Sequence, residues 1–500
     1  LSALGACVNP SPGVAARAFL SRPHLLFIGG RFVASATGRT FATVDPSTGE
    51  RLAQVAHAGP EDVEAAVAAA RTALEGAWGA LPAAERGRLI TRLADLVERN
   101  AEELAELESL DVGKPIAKTR ALDVPAAAAQ FRYFGGWPTK IEGETIPVAV
   151  PDTLCYTRKE PVGVCAQIVP WNFPLLMAAW KLGAALAAGC TVVLKPAEQT
   201  PLTTLRLAEL IAEAGFPEGT VNVLTGDGPT GAALVDHPGI DKIAFTGSTA
   251  VGREIGAKAG ARLKRVTLEL GGKSPNIVLP DADIEAAISG AAEGIFFNTG
   301  QACNAASRLY VHRDVFDDVV EGVLARARRA RVGPALDPAT EYGPLVSAEQ
   351  YRRVRGYLLD GVSEGAVLRA GEVPAADPGG GYFVRPALFT NVTPTMRICR
   401  EEIFGPVLVA APFETVDEVV RLANDTEYGL AAGVWTRSLS AAHGLAARLK
   451  AGSVYLNSWA PGDPASPFGG LKASGVGREM GRAGLDAYLE LKTVWTSIAP

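Results

Sequence analysis

The stretch VGVCAQIVPWNFPLLMAAWKLGAALAAGCTVVLKPAE, residues 162–198, decides the fold. Residues 162–169 are apolar and small or β-branched, which predicts a buried strand. The turn Pro170-Trp171-Asn172-Phe173-Pro174 breaks that strand, and Pro174 opens an apolar helix. Residues 191–194, Thr-Val-Val-Leu, give a second buried strand that ends in Lys195-Pro-Ala-Glu198. Two strands with no polar alternation, joined by a helix, predict parallel pairing in a sheet covered on both faces. The apolar run over 175–194 is long enough to raise the question of a membrane span. Lys181, Gly183 and Gly189 within it fit a buried helix, a short turn and a strand instead.

The alternation continues outward. Downstream, a helix is expected over 202–214 with Thr200 as its N-cap and Pro201 at its first position. Strands are expected over 221–224 and 240–245, and a helix over 250–259. A second α/β block covers about 272–470, with strands near 276–279 and 308–311 and a helix over 315–329. The Pro/Gly-rich segment 373–381 reads as a surface loop. Upstream, Phe27-Ile-Gly-Gly-Arg-Phe-Val33 reads as strand, and Ala-rich helical patterns cover 62–74 and 84–110. Residues 1–25 read as an N-terminal tail, disordered or trimmed, because Pro10 and Pro12 break any early helix. The lack of acids over 1–44 is a faint echo of an organelle presequence.

Five hundred residues suggest about three domains. With 48% hydrophobic and 20% charged residues, disorder over most of the chain is excluded. A net charge of −6 without runs of like charge argues against nucleic acid or an anionic membrane as partner. Six cysteines and no CxxC point to a reducing compartment, hence a cytoplasmic protein, and give no sign of a metal centre.

Two glycine-rich turns compete for a phosphate. Gly226-Asp-Gly-Pro-Thr-Gly231 satisfies GxGxxG after a strand, but no acid stands at the end of a following strand to hold a ribose. A plain strand-to-helix turn explains it as well. The better cradle is Phe245-Thr-Gly-Ser-Thr-Ala-Val-Gly252, where a strand end meets a helix start. Ser248 or Thr249 there can serve as N-cap or as phosphate ligand. Lys195 and Glu198, at a strand end, could grip ribose hydroxyls or form a solvated charge pair.

Among the cysteines, Cys165 and Cys190 stand in apolar strands and read as inert core, whereas Gly, Gln and Asn surround Cys303. None of the five histidines forms a pattern around Cys303 that would make a cysteine hydrolase. Glu269 lies in an apolar strand end, where burial would raise its pKa and make it a usable base. Asn172, in a rigid turn, could donate its amide to an oxyanion.

Pro170-Trp-Asn-Phe-Pro174, Leu194-Lys-Pro-Ala-Glu198, Phe245-Thr-Gly-Ser248, Leu268-Glu-Leu-Gly-Gly-Lys273, Gly300-Gln-Ala-Cys303, Glu401-Glu-Ile-Phe-Gly-Pro406 and Pro467-Phe-Gly-Gly-Leu-Lys472 stand in one order. In that order they resemble the motifs of the NAD(P)-dependent aldehyde dehydrogenase superfamily, over about residues 26–497. The resemblance implies an α/β fold: a Rossmann-type cofactor domain (26–142 and 161–271), an α/β catalytic domain (272–473) and a small β oligomerisation element (143–160 and 486–498). It implies a homodimer or homotetramer, and Cys303 as the nucleophile that attacks the aldehyde. Asn172 and the Cys303 N–H would hold the oxyanion, and Glu269 would activate water against the thioester. Lys195 and Glu198 would bind the adenine ribose, with Gly247, Ser248 and Gly252 near the pyrophosphate. Glu402 would bind the nicotinamide ribose, with Phe404 and Trp171 beside the ring. Glu198 points to NAD rather than NADP. Phe173, Met177, Trp180, Phe297 and Phe468 would line a tunnel for uncharged aliphatic or aromatic aldehydes. Ala126 and Gly462, standing where relatives often carry bulkier residues, suggest a wide mouth, and Asn304-Ala-Ala after the thiol is unusual. Glu269 argues against a CoA-acylating relative. The intact Cys303, Glu269 and Asn172 argue against a noncatalytic structural protein.

Overall fold

Five parallel strands form the centre of an eight-stranded sheet, in the order Arg265–Glu269, Lys242–Thr246, Val164–Ile168, Thr191–Lys195 and Val221–Val223. The structure is a computed structural model and describes residues 10–499. Every residue of Val164–Ile168, Thr191–Lys195 and Lys242–Thr246 is buried, as a strand covered on both faces requires. The apolar helix Pro174–Ala188 follows the first of these strands. Pro174 stands in its first turn, and Gly189 ends it at φ 97°, a left-handed cap that a side chain would strain. A Cβ on Gly183 would lie 2.8 Å from the Phe134 ring, so this glycine lets the helix pack against Val124–Gly135. Leu175, Leu182 and Leu186 are fully buried there, each contributing about 1.5–3 kcal/mol.

The chain order reverses between Val164–Ile168 and Lys242–Thr246: successive strands first add on one side, then on the other. Such a switch point leaves a crevice at the carboxyl ends of the strands. A seven-stranded sheet follows in the order Val367–Ala370, Ala387–Thr390, Val407–Phe413, Arg308–His312, Pro275–Val278, Ala431–Trp435 and Ser453–Leu456; only its first pair is antiparallel. A three-stranded sheet pairs Leu489–Ser497, Thr153–Pro161 and Thr145–Ile146, with Leu154, Leu491 and Trp495 exposed. Among the described residues no helix is long and apolar enough to cross a membrane.

Four local expectations need correction. Residues 1–9 of the expected tail lie outside the described residues, but Val14–Leu20 is a helix. It buries Ala16 and Phe19, and Glu106 accepts the Gly13 N–H at 2.9 Å just ahead of it. The prolines precede that helix rather than interrupt it. Residues 27–33 form a hairpin, Leu26–Ile28 against Arg31–Val33, because Gly29 and Gly30 both take positive φ and make a two-residue turn. The helical pattern over 84–110 divides at Asn100 into Ala83–Arg99 and Ala101–Val112. Thr200 does not cap Leu202–Ala214; the Leu202 N–H donates instead to Asp111 Oδ2 at 2.9 Å, a residue distant in sequence.

Candidate active site

The crevice at the switch point gathers both kinds of expected residue. Ile168 pairs with Lys195 and Phe245 with Ile168, so the segments beyond these strands leave the same end of the sheet side by side. Ser248 caps the 13-residue helix Thr249–Ala261 and accepts the Val251 N–H. The first-turn N–H groups of that helix have no intrahelical acceptor and face the crevice end. A Cβ on Gly252 would collide with Leu270, so glycine there brings the helix against the sheet. Lys195 is buried, donates to the Pro196 carbonyl at 3.0 Å and lies 3.7 Å from the half-exposed Glu198. Burial holds its ammonium below the usual lysine range, opposed by the Glu198 and Asp227 carboxylates. Gly231, last of the GxGxxG glycines, lies alongside Lys195: a Cβ there would sit 3.5 Å from Lys195 Cδ.

Cys303 follows a strained turn. Asn298, Thr299 and Gly300 all take left-handed φ of 49°, 56° and 72°. For the two non-glycine residues this costs of order 1–3 kcal/mol each. Three groups hold it. Asn298 Nδ2 donates to the Asn172 and Gln301 carbonyls at 3.2 and 3.1 Å. Thr299 Oγ1 donates to the Gly343 carbonyl at 3.0 Å, and the Val346 N–H donates to Gln301 Oε1 at 2.9 Å. Asn172 Nδ2 also donates to the Gln301 carbonyl, at 2.9 Å. An amide NH2 has two hydrogens, so one remains for another acceptor. Cys303 itself is partly exposed, whereas Cys155, Cys165, Cys190 and Cys399 are buried. Burial of the thiol first, and then the carboxylates of Glu402 and Glu269, push it up to about 12.

Glu269 ends the strand Arg265–Glu269, is 3% exposed, and neither of its oxygens has a hydrogen-bond partner. Burial first, and then the like charge of Glu479, hold its carboxyl well above the usual range, opposed by Lys181 and Arg478. Lys181 and Glu479 form an ion pair buried in the core. Glu402 accepts the Gly272 N–H at 2.9 Å, and burial raises it to about 7. Phe404 takes a left-handed φ of 60°; its carbonyl accepts from Gln350 at 2.6 Å, and its ring meets Trp171 edge-on at 5.1 Å. Arg353 donates to the carbonyl of Glu402 at 2.6 Å.

The expected tunnel residues also meet. Phe173, Met177 and Trp180 lie at i, i+4 and i+7, one face of the helix that begins at Pro174. Phe173 stacks on Phe297 at 6.0 Å, and Trp180 meets Phe468 edge-on at 5.3 Å. A Cβ on Gly462 would meet nothing within 4 Å. Sequence reasoning missed Lys181 with Glu479, Asn298, Gln301 and Gln350. A lysine amid the apolar 175–194 run was a visible signal, since a buried lysine needs a partner. The partner, far along the chain, was not visible.

The model of the "Aldehyde dehydrogenase family" matches residues 32–494. The mitochondrial aldehyde dehydrogenase of Homo sapiens is 49% identical over 502 residues, covering 100% of this chain and 96% of its own length. Retinal dehydrogenase 2 of Homo sapiens is 49% identical over 477 residues, 95% of this chain and 92% of its own. An aldehyde dehydrogenase from Bacillus cereus, solved as an NAD+ complex, superposes with a TM-score of 0.96 at 51% identity, covering 98% of this chain and 100% of that one.

Proposed function

Because the chain belongs to the aldehyde dehydrogenase family, we propose that it oxidises an uncharged aldehyde to the carboxylic acid with NAD, through a thioester on Cys303 that Glu269 helps water to cleave. The observation that carries this reading is the Cys303 site itself: a partly exposed thiol two residues beyond the Gln301 carbonyl that the Asn172 amide holds, with Glu269 and Glu402 close enough to raise its pKa. Lys195 and Glu198 hold the adenosine ribose, Gly247, Ser248 and Gly252 make room for the pyrophosphate, and Glu402, Phe404 and Trp171 receive the nicotinamide end. The residues fit such a group: the crevice lies at the switch point, and only glycine at 252 allows the helix N-terminus this close to the sheet. NAD, when bound, supplies the hydride acceptor.

The remaining work falls to the protein. Cys303 gives up its proton to solvent water as its sulfur bonds the aldehyde carbon. The oxygen that gains charge is held by the free Asn172 N–H and the Cys303 N–H. Once the carbon is oxidised, a thioester remains. Glu269, its carboxyl held above the usual range, takes a proton from water as that water attacks and returns it to the departing sulfur, so the acid leaves with the thiol restored. The aromatic lining of Phe173, Met177, Trp180, Phe297 and Phe468 suits uncharged aldehydes. In this reading residues 26–142 with 161–271 bind the cofactor, 272–473 carry the thiol, and 143–160 with 486–498 join copies into a dimer or tetramer. The test is Cys303→Ala: NADH formation should vanish with every aldehyde while calorimetry still shows NAD binding. Undiminished dehydrogenase activity in that variant would refute the nucleophile.

A further inference from the structure

His57 and Asp227 meet at the edge of the cofactor crevice, outside the machinery described above. His57 is 7% exposed, and its Nε2 lies 3.2 Å from Asp227 Oδ2. Asp227 stands at the N-cap of Gly228–Asp236, just beyond the strand Val221–Val223. That strand pairs in parallel with Thr191–Lys195, Leu194 opposite Val223, so Asp227 and Glu198 follow neighbouring strand ends at the same end of the sheet. Lys195 lies between them. Its stem runs beside Gly231, one turn into the helix that Asp227 caps. Its ammonium feels Glu198 most strongly and Asp227 next. The Phe41 ring meets the His57 ring edge-on at 6.0 Å and closes the far side.

We propose that Asp227, held in place by His57, is a second specificity residue of the adenosine pocket and, together with Glu198, repels a 2′-phosphate. The proposal rests on the assignment of Lys195 and Glu198 to the adenosine ribose. One ammonium faces two carboxylates, which leaves a net negative charge where a 2′-phosphate would add two more. Ribose hydroxyls meet no such penalty, because they can donate to either acid. The GxGxxG stretch thereby gains a role. Its first half supplies the acid at Asp227, and its last glycine lies alongside the Lys195 stem.

The test measures binding rather than turnover. Calorimetric Kd values for 5′-ADP and 2′,5′-ADP are compared in the unaltered protein, Asp227→Asn, Asp227→Ser and Glu198→Gln. Asn and Ser both cap helices, so folding is preserved, and a melting curve checks it. Either Asp227 variant should bind 2′,5′-ADP about fivefold more tightly relative to 5′-ADP, the size expected of one carboxylate roughly 8 Å from the two charges of a phosphate at an effective dielectric near 80. The gain should shrink at high salt. His57→Ala should loosen discrimination, and His57→Gln, which can still donate to Asp227, should restore most of it. If both Asp227 variants leave the ratio within twofold while Glu198→Gln shifts it, Asp227 has no such role. If no variant shifts the ratio, the ribose assignment falls and this inference falls with it.

Discussion

Two adjacent glycines stand between Glu402 and the Cys303 carbonyl. A Cβ on Gly271 would collide with Glu402 Oε2 and lie 2.8 Å from Glu402 Cδ. A Cβ on Gly272 would lie 2.5 Å from the Cys303 carbonyl oxygen. Neither glycine has a positive φ, so alanine is resisted by space and not by conformation. In Gly271→Ala the obstructed group is the far end of a side chain, which can swing away. It then gives up the 2.9 Å bond from the Gly272 N–H. A hydrogen bond to a charged group is worth about 1.5–3 kcal/mol. At about 1.4 kcal/mol per tenfold, NAD binding should weaken about ten- to a hundredfold. Calorimetric Kd for NAD reads the effect, and the rate of Cys303 alkylation by iodoacetamide is the control, expected within twofold of normal. In Gly272→Ala the obstacle is backbone and cannot rotate aside. Alkylation, turnover and melting temperature should all fall together. Normal NAD affinity in Gly271→Ala would refute the view that Glu402 anchors the cofactor from this position.

Glu269→Gln should release one burst of NADH and then nearly stop, because acylation proceeds while hydrolysis lacks its base; steady turnover at the normal rate would mean another group serves. Glu402 sits near 7, and its ionised form accepts hydrogen bonds. NAD affinity should therefore weaken as pH falls through about 7, and Glu402→Gln should flatten that profile in a titration from pH 5.5 to 8.5. His24 is buried and is pushed from 6.5 down to about 4, by burial first and then by Arg22. The unfolded chain takes up this proton first, so the stability is whole above 6.5 and is lost as pH falls towards 4. The loss should reach about 3 kcal/mol by urea unfolding. A His24→Gln variant that loses as much over the same range would remove His24 as the cause.

How much was legible depended on distance along the chain. The parallel sheet could be read because each of its strands announces burial by its own composition, and the Ser248 cap because the donor lies three residues away. The Thr200 cap failed for the opposite reason. Its local signal was sound, but Asp111 supplies the acceptor from elsewhere, and tertiary contact overrode local preference. The hairpin at Gly29-Gly30 was signalled by its glycine pair and misread as one strand. The helix Val14–Leu20 is short and gains its stability from the surface it covers rather than from its own sequence.

Cys303, Glu269 and Asn172 could be singled out by type and neighbourhood, since a cysteine among polar residues and an acid in a strand end are each out of place. Sequence alone thus determined the sheet class, the order of the motifs and the groups able to do chemistry, because these follow from composition within a few residues. Only the tertiary structure decided that Asn172 and Asn298 meet at the Gln301 carbonyl, that Lys181 finds Glu479, and that Glu402 reaches Gly272. Apart from Asn298 with Gln301, those contacts join residues about 130 to 300 positions apart, 129 for Asn172 with Gln301 and 298 for Lys181 with Glu479. Nothing local encodes such a meeting. It is fixed by the packing of two sheets.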